Sequence, residues 1–180
     1  MSLHNTPTAY GSLARTLHWS MAVLMIGLIA LGLYMTEQPD GDPKWALYDL
    51  HKSFGVIAFA LLLMRIVWRH VSPPPPLPAH MPPLERAAAH IGHGLLYLTM
   101  IALPVSGYLD SAWGGYHISV FGTFDIPMLL EKNKALFEIA EEVHEFFGNL
   151  LILLVLGHAA AALKHHFVQK DDVLTRMLRG

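Results

Sequence analysis

The sequence predicts an all-α integral membrane protein, a four-helix bundle forming a single membrane domain. Two observations lead there. Of the 180 residues, 53% are hydrophobic and only 14% are charged, whereas a soluble domain carries about 25% charged residues. The apolar residues gather in four stretches, each near the roughly 20 residues that a helix needs to cross a bilayer. Composition also narrows the chemistry. There are no cysteines, which removes disulfides, Cys-held iron–sulfur clusters and the C-x-x-C-H attachment of c-type haem. Twelve histidines are left to carry any metal chemistry. A net charge of −2 gives no footprint for a nucleic-acid partner.

The first span is expected over residues 17–35. The stretch before it, MSLHNTPTAYGSLARTLHW, has no small-residue cleavage site after a short apolar core, so this span reads as a retained helix rather than a signal peptide. His18 and Trp19 stand at its mouth and Tyr34 near its exit, and Trp and Tyr favour membrane interfaces. A loop punctuated by Pro and Gly follows. The second span, 51–69, opens on His51 and closes on Arg65 and Arg69. VSPPPPLPAHMPP is too rich in proline for a helix and reads as an extended connector. The third span, 87–109, carries His90 and His93 in its first turns, and Pro104, with Ser106 and Gly107 behind it, should bend it. The loop over 110–138 is mixed, and its LLEKNKALFEIAEEV part reads as a short surface helix. The fourth span, 143–163, precedes a polar tail, and no internal repeat is evident.

Arg15, Arg65, Arg69, Arg86, Lys164, Lys170, Arg176 and Arg179 fall on one side of this topology. Only Lys44, Lys52, Lys132 and Lys134 fall on the other. The positive-inside rule therefore puts both termini and the proline connector in the cytoplasm, and the two acid-rich loops outside.

Orientation gives each histidine a depth. His144 and His158 lie 14 residues apart on the fourth span. At about 100° and 1.5 Å per residue they share one face, about 21 Å apart. Ionisable groups in lipid are expensive and mark function. His18 and His158 fall near the cytoplasmic face, His51 and His144 near the outer face, which makes two depth-matched pairs. Each pair suits a planar cofactor between helices, and a b-type haem fits because neutral imidazole is a common axial ligand of haem iron. Gly55 and Gly148, each four residues after its histidine, either leave room for a macrocycle or bring helices close. Arg65 and Arg69 share a face, suited to haem propionates or to anchoring at the cytoplasmic interface. HEFFG lacks the second histidine of a zinc protease motif.

Several stretches recur together in one known family: LHW at His18, LHKSFG at His51, RIVWR closing the second span, AAHIGH entering the third, and ALPVSG around Pro104. HISVFGTFDIP, VHEFFGNL at His144 and LGHAAAALKHHFVQKDDVLTRML complete the series. In this order and spacing the chain resembles the prokaryotic cytochrome b561 family, small four-helix di-haem proteins of the bacterial inner membrane, over nearly its whole length. The resemblance implies two non-covalent b-type haems, with His18, His51, His144 and His158 as axial ligands, and electron transfer linked to quinone. Members act as superoxide oxidases, so it further implies passage of electrons from periplasmic superoxide to ubiquinone. The alternative it leaves is an electron-conduit subunit that serves a redox partner protein, as in the cytochrome b subunits of hydrogenases and formate dehydrogenases. The outer loops are acidic, so superoxide would have to be drawn in where Lys52, Lys132 and Lys134 gather. For the quinone, His165 is the expected proton donor. It lies seven residues after His158 on the same stripe, about 10 Å further toward the cytoplasm. Trp19 offers an aromatic wall, and His90 and His93 are rivals at the same depth.

Overall fold

The computed structural model describes residues 2–179. Four long helices carry the fold: α1 (Ser12–Thr36), α2 (Asp42–Val71), α3 (Pro83–Gly114) and α4 (Lys134–Lys164). A small hairpin, β1 (Ile118–Val120) and β2 (Phe124–Ile126), stands between α3 and α4. A π-helical turn, His165–Gln169, and a short helix α5 (Val173–Leu178) follow α4. Each long helix has the length and apolar content to cross a membrane.

The helices run past the apolar cores because their polar flanks also favour helix. Helix α2 starts behind Gly41, with Pro43 in its first turn, where a missing N–H breaks no helical bond. Helix α4 is capped by Asn133, whose side chain accepts from the Leu136 N–H at 3.1 Å. The surface helix expected ahead of the fourth span is thus the opening of α4 itself, while residues 129–133 are not helical. Helix α3 runs on through Pro104. It stops at Gly115, whose φ of +74° is a left-handed position that suits glycine, and the Tyr116 N–H turns back to Ser111 O at 2.8 Å.

Helix α1 packs chiefly on α2, and α3 on α4. Met25, Leu28, Ala58 and Leu151 form the apolar core where the four meet. The opposite faces are apolar too: Val23 is 71% exposed and Leu153 68%. Such a surface belongs against lipid, which is as apolar as the side chains that meet it. Lipid gives helices no hydrophobic reason to associate, so close approach through small residues matters. Ser53, Thr99, Ser106 and Ser111 are buried in the bundle.

The hairpin folds over one end of α2. The Thr123 N–H donates to Val120 O at 2.9 Å, closing a turn whose central residues, Phe121 and Gly122, have φ of 49° and 66°. Ser53, two residues after His51, holds this turn. Its hydroxyl donates to Asp49 O at 2.8 Å and accepts from the Phe121 N–H at 3.0 Å. The Phe121 ring meets Phe54 edge-on at 5.2 Å. Ser53→Ala leaves the Phe121 N–H without its acceptor, and should destabilise the hairpin by about 1–3 kcal/mol. Limited proteolysis at residues 121–123 should accelerate several-fold in this variant. Cleavage at the wild-type rate would show that Phe121 and Phe54 hold the turn without Ser53.

Candidate functional site

The interval that separates His144 from His158 recurs on every long helix. Fourteen residues also separate His18 from Gly32 on α1, His51 from Arg65 on α2, and His93 from Gly107 on α3. That is nearly four full turns, so each pair shares a face at two depths. The bundle therefore has two levels. The hairpin level holds Gly32, His51, Gly107 and His144. The terminal level, nearer both chain ends, holds His18, Arg65, His93 and His158.

Folding brings the histidines of each level together. The rings of His51 and His144 have centroids 6.3 Å apart, and those of His18 and His158 are 6.1 Å apart. A metal lies about 2 Å from a ligating imidazole nitrogen and roughly 3 Å from the ring centre, so two imidazoles on opposite sides of one metal stand about 6 Å apart. Both pairs meet that separation. Among the described residues, no group of three or more His, Cys, Asp or Glu gathers to hold a metal ion. Each pair could thus supply two imidazoles to one iron whose remaining positions were filled by a macrocycle.

The hairpin level is the better oriented. The His144 Nδ1–H donates to Leu103 O at 3.0 Å, and the Ser106 hydroxyl, which donates to the same carbonyl, lies 3.0 Å from that nitrogen. A proton fixed on Nδ1 leaves the Nε2 lone pair for a metal. Among the described residues, His51 Nδ1 is buried with no hydrogen-bond partner. Glycines of the neighbouring helices seat both rings. A Cβ at Gly107 would lie 3.1 Å from His144 Cε1, and one at Gly32 would lie 3.4 Å from His51 Cε1. Gly55 and Gly148 behave differently, since a Cβ at either would meet nothing within 4 Å. Neither glycine is a point of close contact between helices.

The terminal level is crowded with cations. Arg65 Nη2 lies 3.1 Å from His18 Nδ1 and Arg65 Nε donates to the Tyr97 hydroxyl at 3.2 Å, so Arg65 turns into the bundle rather than out to the interface. Arg69 lies over the Tyr97 ring at 5.6 Å. Below them, burial pushes the Tyr10 hydroxyl above its ordinary pKa, against the opposing pull of Arg69, Arg65 and Arg176. His93 stands 5.4 Å from His158 and is a third imidazole at this level.

The remaining candidates divide. Trp19 meets the His18 ring edge-on at 5.1 Å, but its indole N–H donates to Met177 O at 3.1 Å, which ties it to α5. His90 is exposed. His165 is half-buried, with Nδ1 2.6 Å from Asp171 Oδ2. Of the three lysines, two converge. Lys52 Nζ donates to His117 O at 3.4 Å and lies 5.4 Å from the Tyr116 ring, and the Lys132 side chain rests against Gly115. Lys134 instead pairs with Glu138 at 3.7 Å, one turn down its own helix, and is 90% exposed.

A four-helix membrane bundle that brings imidazoles together in pairs at its two ends has the chemistry of a haem-binding membrane cytochrome. Comparison with known proteins makes this more specific. The chain matches the family described as prokaryotic cytochrome b561 over residues 9–180. It is 42% identical to cytochrome b561 homolog 2 of Escherichia coli (strain K12), over 99% of this chain and 95% of that protein. It is 29% identical to cytochrome b561 homolog 1 of the same organism, over 90% and 92%. A protein of Yersinia pestis named probable superoxide oxidase CybB is 30% identical over 94% of this chain and 95% of its own length. The chain belongs to the prokaryotic cytochrome b561 family, haem-binding electron-transport proteins that cross the inner membrane several times.

Proposed function

We propose that the protein is a superoxide:ubiquinone oxidoreductase, taking electrons from superoxide at the hairpin face and delivering them to ubiquinone at the terminal face. The observation that carries this reading is the pair of histidine levels, spaced 6.3 and 6.1 Å across, at opposite ends of one bundle. A b-type haem bound in each pair supplies reversible one-electron chemistry. The chain's residues supply the rest. His51 with His144, and His18 with His158, would hold the two irons. Arg65 and Arg69 offer guanidinium partners for propionates beside the inner pair. The positive-inside rule places the terminal face, with Arg15, Arg69, Lys164 and Arg176, in the cytoplasm. Both chain termini then lie there too.

At the outer face, Lys52 reaches His117 O and the Lys132 side chain lies against Gly115, so both cations border residues 115–117. Two cations set among acidic loops can draw an anion to one spot. Superoxide leaves that spot as dioxygen, with no proton to handle. Ubiquinone is different, because each of its oxygens must gain a proton, and that places His165, Trp19, His90 and His93 at the inner face under consideration. His165 is the one among them held by a buried carboxylate. The relative named as a probable superoxide oxidase supports the choice of donor.

The test uses purified protein and its haem spectrum. A superoxide-generating system should reduce the haem bands, and added ubiquinone should reoxidise them. Reduction without reoxidation would turn the reading to an electron conduit for a redox partner protein. No reduction at all would remove superoxide as the donor. Lys52→Glu should slow reduction by superoxide about tenfold at low salt, with the difference shrinking as salt is added. Its reduction by dithionite should be unchanged. An equal rate in the two proteins would take Lys52 out of the anion path.

A further inference from the structure

We propose that Asp171 is a positioning residue for His165, and that the two form the dyad that protonates ubiquinone at the cytoplasmic face. The inference rests on the quinone reading above and names the group that serves it.

The geometry is built by several elements. His165 opens the π-helical turn directly after α4, about 10 Å of helix beyond His158. Such turns are rare and gather at functional sites. Glu85 on α3 braces this one from outside, accepting from Lys164 Nζ and from Gln169 Nε2, both at 2.8 Å. Lys170 then takes a left-handed φ of +54°, which reverses the chain. The reversal returns the Asp171 N–H to His165 O at 3.2 Å and sets Asp171 Oδ2 2.6 Å from His165 Nδ1. The two side chains are only 12% and 6% exposed.

Asp171 has a second duty, since Oδ1 accepts from the N–H of Val173, the first residue of α5, at 3.1 Å. That bond needs one oxygen, and the other is given to the imidazole. The exposed His80 also reaches that oxygen, with Nε2 3.9 Å away. With Nδ1–H held by a carboxylate, Nε2 is the nitrogen able to release a proton, and the carboxylate offsets the charge of the doubly protonated ring.

Ubiquinone gains two electrons and two protons to become ubiquinol. Two superoxide ions provide the electrons and leave as two molecules of dioxygen. For each proton, the N–H bond at His165 Nε2 breaks and an O–H bond forms on the quinone. The ring then recovers a proton from cytoplasmic water before the second transfer.

The test takes the haem-loaded protein in lipid nanodiscs, with decylubiquinone as the quinone. Prereduced wild type, His165→Gln, Asp171→Asn and Asp171→Glu are mixed with it by stopped flow. General acids contribute about 10²–10⁴-fold, so His165→Gln and Asp171→Asn should slow reoxidation at saturating quinone at least tenfold. The half-saturating quinone concentration, haem content and rate of reduction by superoxide should not change. Asp171→Glu should recover most of the rate. Independently of turnover, nitrogen-15 histidine NMR should show one strongly downfield Nδ1 proton that both His165→Gln and Asp171→Asn remove. Wild-type reoxidation by Asp171→Asn would overturn the assignment. So would loss of haem in Asp171→Asn with no rescue by Asp171→Glu, which would mark a purely structural bond. A wild type that decylubiquinone fails to reoxidise would overturn the quinone reading itself, and the dyad's role with it.

Discussion

His144→Ala is expected to halve the haem content of the purified protein, from two per chain to one, and to abolish its reduction by superoxide. His144 is the better fixed half of the outer pair, with Nδ1 held by Leu103 O and its ring 6.3 Å from that of His51. Losing even an outer-shell partner of a metal ligand typically costs 10–100-fold in affinity, and losing the ligand costs more. His51→Ala should act on the same haem. Gly107→Val should approach the same result without touching a ligand, because even a Cβ there would lie 3.1 Å from the His144 ring. A pyridine-haemochrome assay gives haem per chain. One haem per wild-type chain would remove the two-site reading. A His144→Ala variant that disturbs the haem disturbed by His18→Ala would show the pairing to be wrong.

His158→Ala should produce the opposite defect. The outer pair is intact in this variant, so superoxide should still reduce the remaining haem. Delivery to ubiquinone should fall by roughly a hundredfold or more. His93 stands 5.4 Å from His158 and is the ring best placed to substitute for it. Any inner haem that persists in His158→Ala should therefore vanish in the His93→Ala, His158→Ala double variant. The measurement is single-turnover reoxidation by decylubiquinone, alongside haem content. Quinone reduction at the wild-type rate in the double variant would move the exit path away from the terminal level.

Much of this was legible in the chain before folding. Lipid demands apolar surface on every outward face, so the four spans were marked by composition alone. Helical geometry then turned the interval between His144 and His158 into two depths. What composition could not show was contact across helices. The glycines expected to matter were Gly55 and Gly148, on the ligand helices themselves. The glycines that approach the His51 and His144 rings are Gly32 and Gly107, on the neighbouring helices. Their signal was present as the same 14-residue interval from His18 and His93, but an interval ending on glycine draws no notice until helix pairing is known. Leu103 and Ser106 escaped for a related reason. A backbone carbonyl carries no sequence signature, and the PVSG stretch reads first as a bend. The hairpin was hidden by its shortness and by Phe121, a bulky residue at a positive φ that Ser53 and Phe54 hold in place. Asp171 became significant only once the chain reversed at Lys170.

On the proposed electron path, the distance between the two histidine levels would also make the protein answerable to membrane voltage. A charge carried over about 21 Å of helix crosses most of an insulating layer roughly 30 Å thick. In an energised bacterium the cytoplasm is electrically negative, so an electron moving inward climbs the field. A full crossing costs about 2.3 kcal/mol for each 100 mV. Turnover should therefore slow in a well-energised cell and quicken as the membrane depolarises, with no effector bound anywhere. In sealed vesicles, an imposed potassium diffusion potential would change the rate in a direction set by its sign. The bilayer's own charge would serve as the regulator.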